Sequence, residues 1–176
     1  MGIKRTYVMP LLVLTLICIV VSIALALMDN ITYPVIRSAA ERRAQAAMIE
    51  KIPEATGFTE IEIELYNRIP STIKEIYETE NEVGYIFIAA VNGFSGDITI
   101  ICAVNPDGRI IAVSTLSHTE TKGIGTIIEQ ESFLDKFNGL DKKLDGVDTV
   151  VGATVTTRAF IKAIDDILAA FEIVKS

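Results

Sequence analysis

The hydrophobic positions of this chain follow three patterns in succession: one unbroken block, a set of short apolar runs, and a long stripe at helical spacing. Residues 8–28 contain no charged side chain. At about 1.5 Å rise per residue such a block reaches across a hydrocarbon core of about 30 Å, so it predicts a transmembrane helix. Beyond it, Ile36, Ala40, Ala44, Ala47 and Met48 recur every three or four residues among Arg37, Glu41, Arg42, Arg43 and Glu50. That spacing predicts an amphipathic helix continuing outward as a stalk. Pro53 and Gly57 interrupt the regularity, and the segment up to Pro70 suits either helix or strand.

From Ile73 the period changes. Residues 85–90, 97–104 and 109–116 are β-branched or aromatic runs separated by Asn92-Gly93 and by Pro106-Asp107-Gly108, which predicts adjacent antiparallel strands joined by tight turns. A helical signal follows over residues 124–137, then a short strand-like run over 147–151. The last element is the clearest: Phe160, Ile161, Ile164, Ile167, Leu168 and Phe171 share one helical face, with Lys162, Asp165, Asp166 and Glu172 opposite. A helix of this kind must cover its stripe against the sheet. The predicted class is therefore α+β, with an N-terminal transmembrane helix followed by an antiparallel sheet packed against helices. The expected organisation is a short N-terminus (1–7), an anchor (8–28), a helical stalk (29–52) and one folded domain (53–176).

Charge orients the anchor. Lys4 and Arg5 precede the apolar block, Asp29 follows it, and the next basic residue is Arg37, so the bias keeps the N-terminus in the cytoplasm and the folded domain outside. The expected location is the cytoplasmic membrane, crossed once, with the domain periplasmic or extracellular. A cleaved signal peptide is the alternative, since Ala24-Leu25-Ala26 has the small-residue spacing of a cleavage site, but the apolar block exceeds the usual h-region of about 7–15 residues. Without Lys4 and Arg5 the chain carries 14 basic against 23 acidic side chains, a net charge of −9. Acidity of this order predicts no nucleic-acid partner. Cys18 lies in the apolar block and Cys102 in a strand-like run, a placement that predicts neither an internal disulfide nor a metal cluster. Redox chemistry would then need an organic cofactor.

Three stretches carry candidate chemistry. Asp148-Thr149-Val150-Val151-Gly152-Ala153-Thr154-Val155-Thr156-Thr157 places small residues and hydroxyls where the last helix begins. The free N–H groups and dipole there favour a negative group such as a phosphate, although a threonine helix cap is the simpler local reading. His118-Thr119-Glu120-Thr121-Lys122-Gly123-Ile124-Gly125 is a loop with the chain's one histidine, and Gly93-Phe94-Ser95-Gly96-Asp97-Ile98 is a turn between strands.

Together these stretches resemble the FMN-binding domain family that includes the G subunit of Rnf complexes and the C subunit of the sodium-pumping NADH:quinone oxidoreductase. The first is similar to the family's flavinylation motif: Asp148, Gly152, Ala153, Thr154 and Thr156 match, while Val151 stands where a hydroxyl residue is usual. The loop resembles His-x-Glu-Thr-Pro-Gly-Leu-Gly, with Lys122 and Ile124 as its departures, and the turn resembles Gly-Tyr-Gly-Gly-Pro-Ile. The resemblance spans residues 84–171. It implies FMN held as a phosphoester on Thr156, with Asp148, Gly152, Ala153, Thr154, His118, Glu120, Thr121, Gly123, Ile124 and Gly125 around the cofactor. It also implies maturation by a magnesium-dependent flavin transferase drawing on FAD. Nothing beside Thr156 in the sequence looks like a positioned base, which argues against self-modification. The implied role is an electron-relaying subunit of an Rnf-type ion-translocating ferredoxin:NAD oxidoreductase, not catalytic alone and partnered by the other membrane subunits. The alternatives are an anchored non-redox sensor or assembly module, a stand-alone reductase, or a component like the C subunit of a sodium-pumping quinone reductase.

Overall fold

The computed structural model describes residues 3–66, 68–144 and 146–176, without the side chains of residues 3–7, 30, 31, 33–38, 40 and 41. Helix α1 runs over Ile3–Lys51. Within it, Val8–Asp29 is long and apolar enough to cross a membrane, and its side chains are exposed throughout. The chain divides into two compact units, Met1–Arg42 and Arg43–Ser176. The expected stalk face at Ile36 and Ala40, with Arg37 and Glu41, lies outside the described side chains. Ala44, Ala47 and Met48 belong to the second unit.

That unit is built on a five-stranded antiparallel meander, β1 (Phe58–Glu60), β2 (Ile73–Thr79), β3 (Tyr85–Asn92), β4 (Asp97–Val104) and β5 (Ile110–His118), in spatial order β1-β2-β3-β4-β5. Consecutive strands pair because the turns between them are short, as the Gly and Pro signals predict. β1 settles the ambiguous segment before Pro70 in favour of an edge strand followed by a single 3-10 turn, Ile63–Leu65.

Both faces of the central strands are covered. Phe87, Ala89, Ile100 and Cys102 point to the face packed by the last helix, α3 (Thr154–Lys175). Ile86, Ile88, Ile101 and Ala103 point to the other face, where Met48 in the last turn of α1 and Ile52 just after it cover them, flanked by Ala44 and Ala47. This accounts for the runs in β3 and β4 being continuously apolar and not alternating, since neither face meets water. It also draws residues 43–52, which the sequence pattern assigns to the stalk, into the core of the folded unit. On the α3 side, Phe160 packs edge-on against Phe133 at 5.4 Å and beside Phe137 at 5.5 Å between ring centroids.

Two expected elements differ. Residues 124–137 are not one helix but a 3-10 turn (Gly125–Glu129), the single turn α2 (Glu131–Leu134) and another 3-10 turn (Asp135–Phe137). The break falls at Gln130, whose φ −77° and ψ 131° are extended and end one turn while capping the next. Residues 147–151 form no strand. Their backbone turns into the start of α3: Ala153 N–H donates to the Val150 carbonyl, and Val150 N–H donates to the Thr157 hydroxyl at 3.1 Å.

Candidate functional site

The meander topology brings the three motif stretches to one place. Because β4 lies between β3 and β5, the β3–β4 turn (93–96) emerges beside the end of β5, where Ile98 pairs with His118. The 119–125 loop leaves β5 there and touches the turn, with Thr119 Oγ1 donating to the Ser95 carbonyl and the Ser95 and Thr121 hydroxyls 3.2 Å apart. Helix α3, packed on the sheet through Phe160, Ile164 and Phe171, delivers its first turn to the same spot.

At the junction stands Glu120, 7% exposed. Its Oε1 accepts the backbone N–H groups of Phe94 (2.7 Å) and Ser95 (3.0 Å), and its Oε2 accepts the Thr156 hydroxyl at 2.6 Å. Burial pushes the Glu120 carboxyl pKa up, but the Thr156 hydroxyl and the two backbone donors outweigh it, and the group titrates below the usual glutamate value. At neutral pH it is a carboxylate. The sequence shows no base beside Thr156, and the structure corrects this: the partner comes from 36 residues upstream.

Glycine is required on both sides of this carboxylate. A Cβ on Gly93 would fall 2.3 Å from Glu120 Oε1, and one on Gly125 would fall 2.6 Å from Glu120 Cβ. The glycines of two motifs thus close around one side chain. His118 holds the loop from behind: its Nδ1 accepts the Glu120 N–H at 3.0 Å, and its Nε2 lies 2.9 Å from Glu129 Oε1. As an acceptor, Nδ1 leaves the ring proton on Nε2 for Glu129.

The start of α3 separates its hydroxyls by role. Helix α3 is capped by Ala153, whose methyl cannot accept a hydrogen bond, so the threonine-cap reading does not hold. Thr157 Oγ1 donates to the Ala153 carbonyl at 2.9 Å, and Thr154 Oγ1 reaches the Val150 carbonyl at 3.4 Å. Thr156 alone of these three directs its hydroxyl across the site to Glu120. The first turn also leaves backbone N–H groups of residues 154–156 without a helical carbonyl, since the first bond onto the cap is Thr157 N–H to Ala153. Gly152, at φ +88°, makes the turn into this helix in a conformation that side chains disfavour, and the space beyond it is open.

Phe94, Glu120, Thr121, Ile124, Gly125 and residues 152–156 line a pocket of about 310 Å³. Thr156 is 2% exposed and forms part of its wall, whereas Phe94, Ile124 and Val155 are largely exposed at its rim. Of the residues expected at the site, Gly152, Ala153, Thr154, Thr156, Glu120, Thr121, Ile124 and Gly125 line this pocket. Asp148 is exposed and outside the lining, as is Gly123, and His118 acts from behind Glu120. Val151, the departure from the flavinylation motif, is 97% exposed, so the missing hydroxyl would have faced solvent. Sequence reasoning missed Phe94, Ser95 and Val155 as site residues. Backbone donors and a rim valine carry no side-chain signature, and only the position of Phe94 and Ser95 directly after Gly93 hints at them.

Residues 93–169 match the FMN-binding domain family, a segment that contains the turn, the loop, the pocket and Thr156. Over these residues the chain is similar to FMN-binding domains. Its similar proteins are named as parts of ion-translocating complexes. The chain is 29% identical to the G subunit of the proton-translocating ferredoxin:NAD(+) oxidoreductase complex of Clostridium ljungdahlii, over 87% of its own length and 85% of that protein's. It is 28% identical to the G subunit of the ion-translocating oxidoreductase complex of Stutzerimonas stutzeri, over 86% and 75% of the two chains. With the corresponding G subunit of Shewanella piezotolerans the identity rises to 42%, but over 43% of this chain and 42% of that one. In this chain a helix long and apolar enough to cross a membrane precedes the segment that matches the FMN-binding domain family.

Proposed function

We propose that this chain is a membrane-anchored flavoprotein subunit of an Rnf-type ion-translocating ferredoxin:NAD oxidoreductase, with FMN esterified through its phosphate to Thr156. The observation that carries the proposal is the Thr156 hydroxyl, held by Glu120 in the wall of a pocket that three separate motif stretches build. Its volume of about 310 Å³ is at the low end for a small-molecule site, typically ~300–1,000 Å³, and suits the phosphate end of the cofactor. The free N–H groups of residues 154–156 would receive that phosphate. Phe94, Ile124 and Val155 offer exposed apolar surface to a flat ring. Bound there, the flavin would supply reversible electron acceptance and donation. A covalent tether keeps it at high effective concentration where free FMN would be lost by dilution.

Attachment is assigned to a magnesium-dependent flavin transferase using FAD, and the partners to the other membrane subunits of the complex. Lys122 and Arg158, the basic residues next to the two motifs, are exposed and available to offset the phosphodiester. Asp148, which the motif puts among the cofactor-binding residues, is exposed ahead of the turn that leads into α3.

The decisive experiment places Thr156→Ala in an otherwise assembled complex and follows ferredoxin-dependent NAD reduction with its coupled ion transport in membranes. Coupled activity should disappear while the subunits still copurify. Full coupled activity without flavin would overturn the relay role.

The domain is assigned to the outer face of the cytoplasmic membrane, on the strength of Lys4 and Arg5 before the anchor and Asp29 after it. Protease added to intact spheroplasts should digest residues beyond the anchor. Protection until lysis would reject this orientation.

A further inference from the structure

Among the described residues no ion pair holds the Glu120 carboxylate. Its Oε1 is engaged by two backbone N–H groups, which an amide oxygen could serve equally well. Its Oε2 accepts the very hydroxyl assigned as the flavin acceptor, at 2.6 Å. We infer that Glu120 is the general base of the attachment step, supplied by this chain and not by the transferase. The inference rests on the reading of Thr156 as the flavin acceptor and assigns the fate of its proton.

The geometry is specific. An ionised carboxylate only accepts, so the Thr156 proton must lie on the line toward Oε2. The remaining lone pairs of Oγ1 are then directed away from Glu120, and Thr156 belongs to the pocket wall. Gly93 and Gly125 press on the carboxylate from two sides, so it has little room to swing away. The neighbouring threonines are excluded on the same grounds, because the hydroxyls of Thr154 and Thr157 are directed to backbone carbonyls, which are far weaker bases than a carboxylate.

The step balances without a redox partner. Thr156 Oγ1 forms a bond to the flavin-side phosphorus of FAD, and the phosphoanhydride P–O bond breaks. AMP leaves with that bond's electron pair, and the Thr156 proton passes to Glu120 Oε2. Phosphoryl transfer proceeds through a loose transition state in which the nucleophile needs little activation early on, so a carboxylate of low basicity suffices. Afterwards the hydroxyl donor is gone and a phosphodiester anion stands in its place. A protonated Glu120 can donate to that ester, whereas an ionised one would face a second negative charge in a buried site. The same proton therefore serves first to release the nucleophile and then to accommodate the product.

The test uses the full-length chain in detergent, purified flavin transferase, magnesium and FAD, with covalent flavin read as fluorescence of the denatured protein over time. Glu120→Gln keeps the shape and the acceptor for Phe94 and Ser95 but cannot take a proton. Its initial labelling rate should fall by about 10²-fold or more, the usual contribution of a general base. Glu120→Ala leaves a hollow the size of a carboxylate, and added formate should restore its labelling in a concentration-dependent way while leaving the wild type unchanged. A purely positioning role predicts the opposite on both counts. Wild-type labelling of Glu120→Gln overturns the inference, and so does a folded Glu120→Ala that labels slowly with no response to formate. Failure of the wild type to label, or label persisting in Thr156→Ala, overturns the acceptor assignment itself, and this inference with it.

Discussion

Replacing Thr156 by alanine is expected to remove covalent flavin from the chain completely, while replacing Thr157 by alanine leaves the label and lowers stability. The two residues are adjacent, and composition does not distinguish them. Geometry does. Thr156 Oγ1 reaches Glu120 from the pocket wall, and deleting it removes the one hydroxyl of the helix's first turn placed for attachment. Thr157 is fully buried and serves the backbone on both sides, donating to the Ala153 carbonyl and accepting from the Val150 N–H. Its loss leaves the part-buried Val150 N–H without this partner, at a cost of about 1 kcal/mol, without touching the acceptor. Fluorescence of the denatured band and the intact mass report the label, and thermal unfolding reports the stability. Flavin remaining on Thr156→Ala, or lost from a folded Thr157→Ala, would contradict the assignment.

Gly125→Val is expected to depress both labelling and stability. Read from the sequence, the loop glycines shape the flavin's surroundings, which predicts a shifted spectrum with the label intact. In the structure Gly125 does not have positive φ but abuts Glu120, and a side chain at this position would collide with Glu120 Cβ at 2.6 Å and Oε2 at 2.7 Å. The carboxylate must move off Thr156 or the loop must lift, and overpacking of this kind costs about 1–3 kcal/mol. Gly123→Ala is the control: Gly123 sits at φ +82° with open space around it, so alanine adds backbone strain of about 1 kcal/mol while leaving Glu120 in place. The labelling rate should therefore drop for Gly125→Val and hold for Gly123→Ala. Equal labelling of the two would mean that the approach of Gly125 to Glu120 has no bearing on attachment.

Much of the fold was legible because it rests on local periodicity. The uncharged block at residues 8–28, the turns at Asn92-Gly93 and Pro106-Asp107-Gly108, and the apolar stripe from Phe160 to Phe171 each reflect the solvent or surface that one element meets, and each appears where expected. Residues 147–151 misled for the same reason. A segment rich in β-branched residues resembles a strand, but whether it pairs depends on a neighbour, and here the start of α3 takes up its backbone. The second apolar face of β3 and β4 was likewise visible only as an absence of alternation. Its cover, Met48 and Ile52, comes from the end of a helix and the residue after it, whose spacing reads equally well as a free stalk.

At the site the sequence determined the chemical types: a hydroxyl at a helix start, a glutamate, and glycines at the spacing of a recognisable motif. It could not determine which groups meet. Glu120 and Thr156 are 36 residues apart, and their 2.6 Å contact exists because β4 sets the β3–β4 turn beside the end of β5 while α3 packs its first turn against both. Residue spacing encodes what lies within one helical turn or one strand repeat. Contacts between elements depend on how the whole core packs, and only the tertiary structure makes a glutamate in one loop the partner of a threonine in a distant helix.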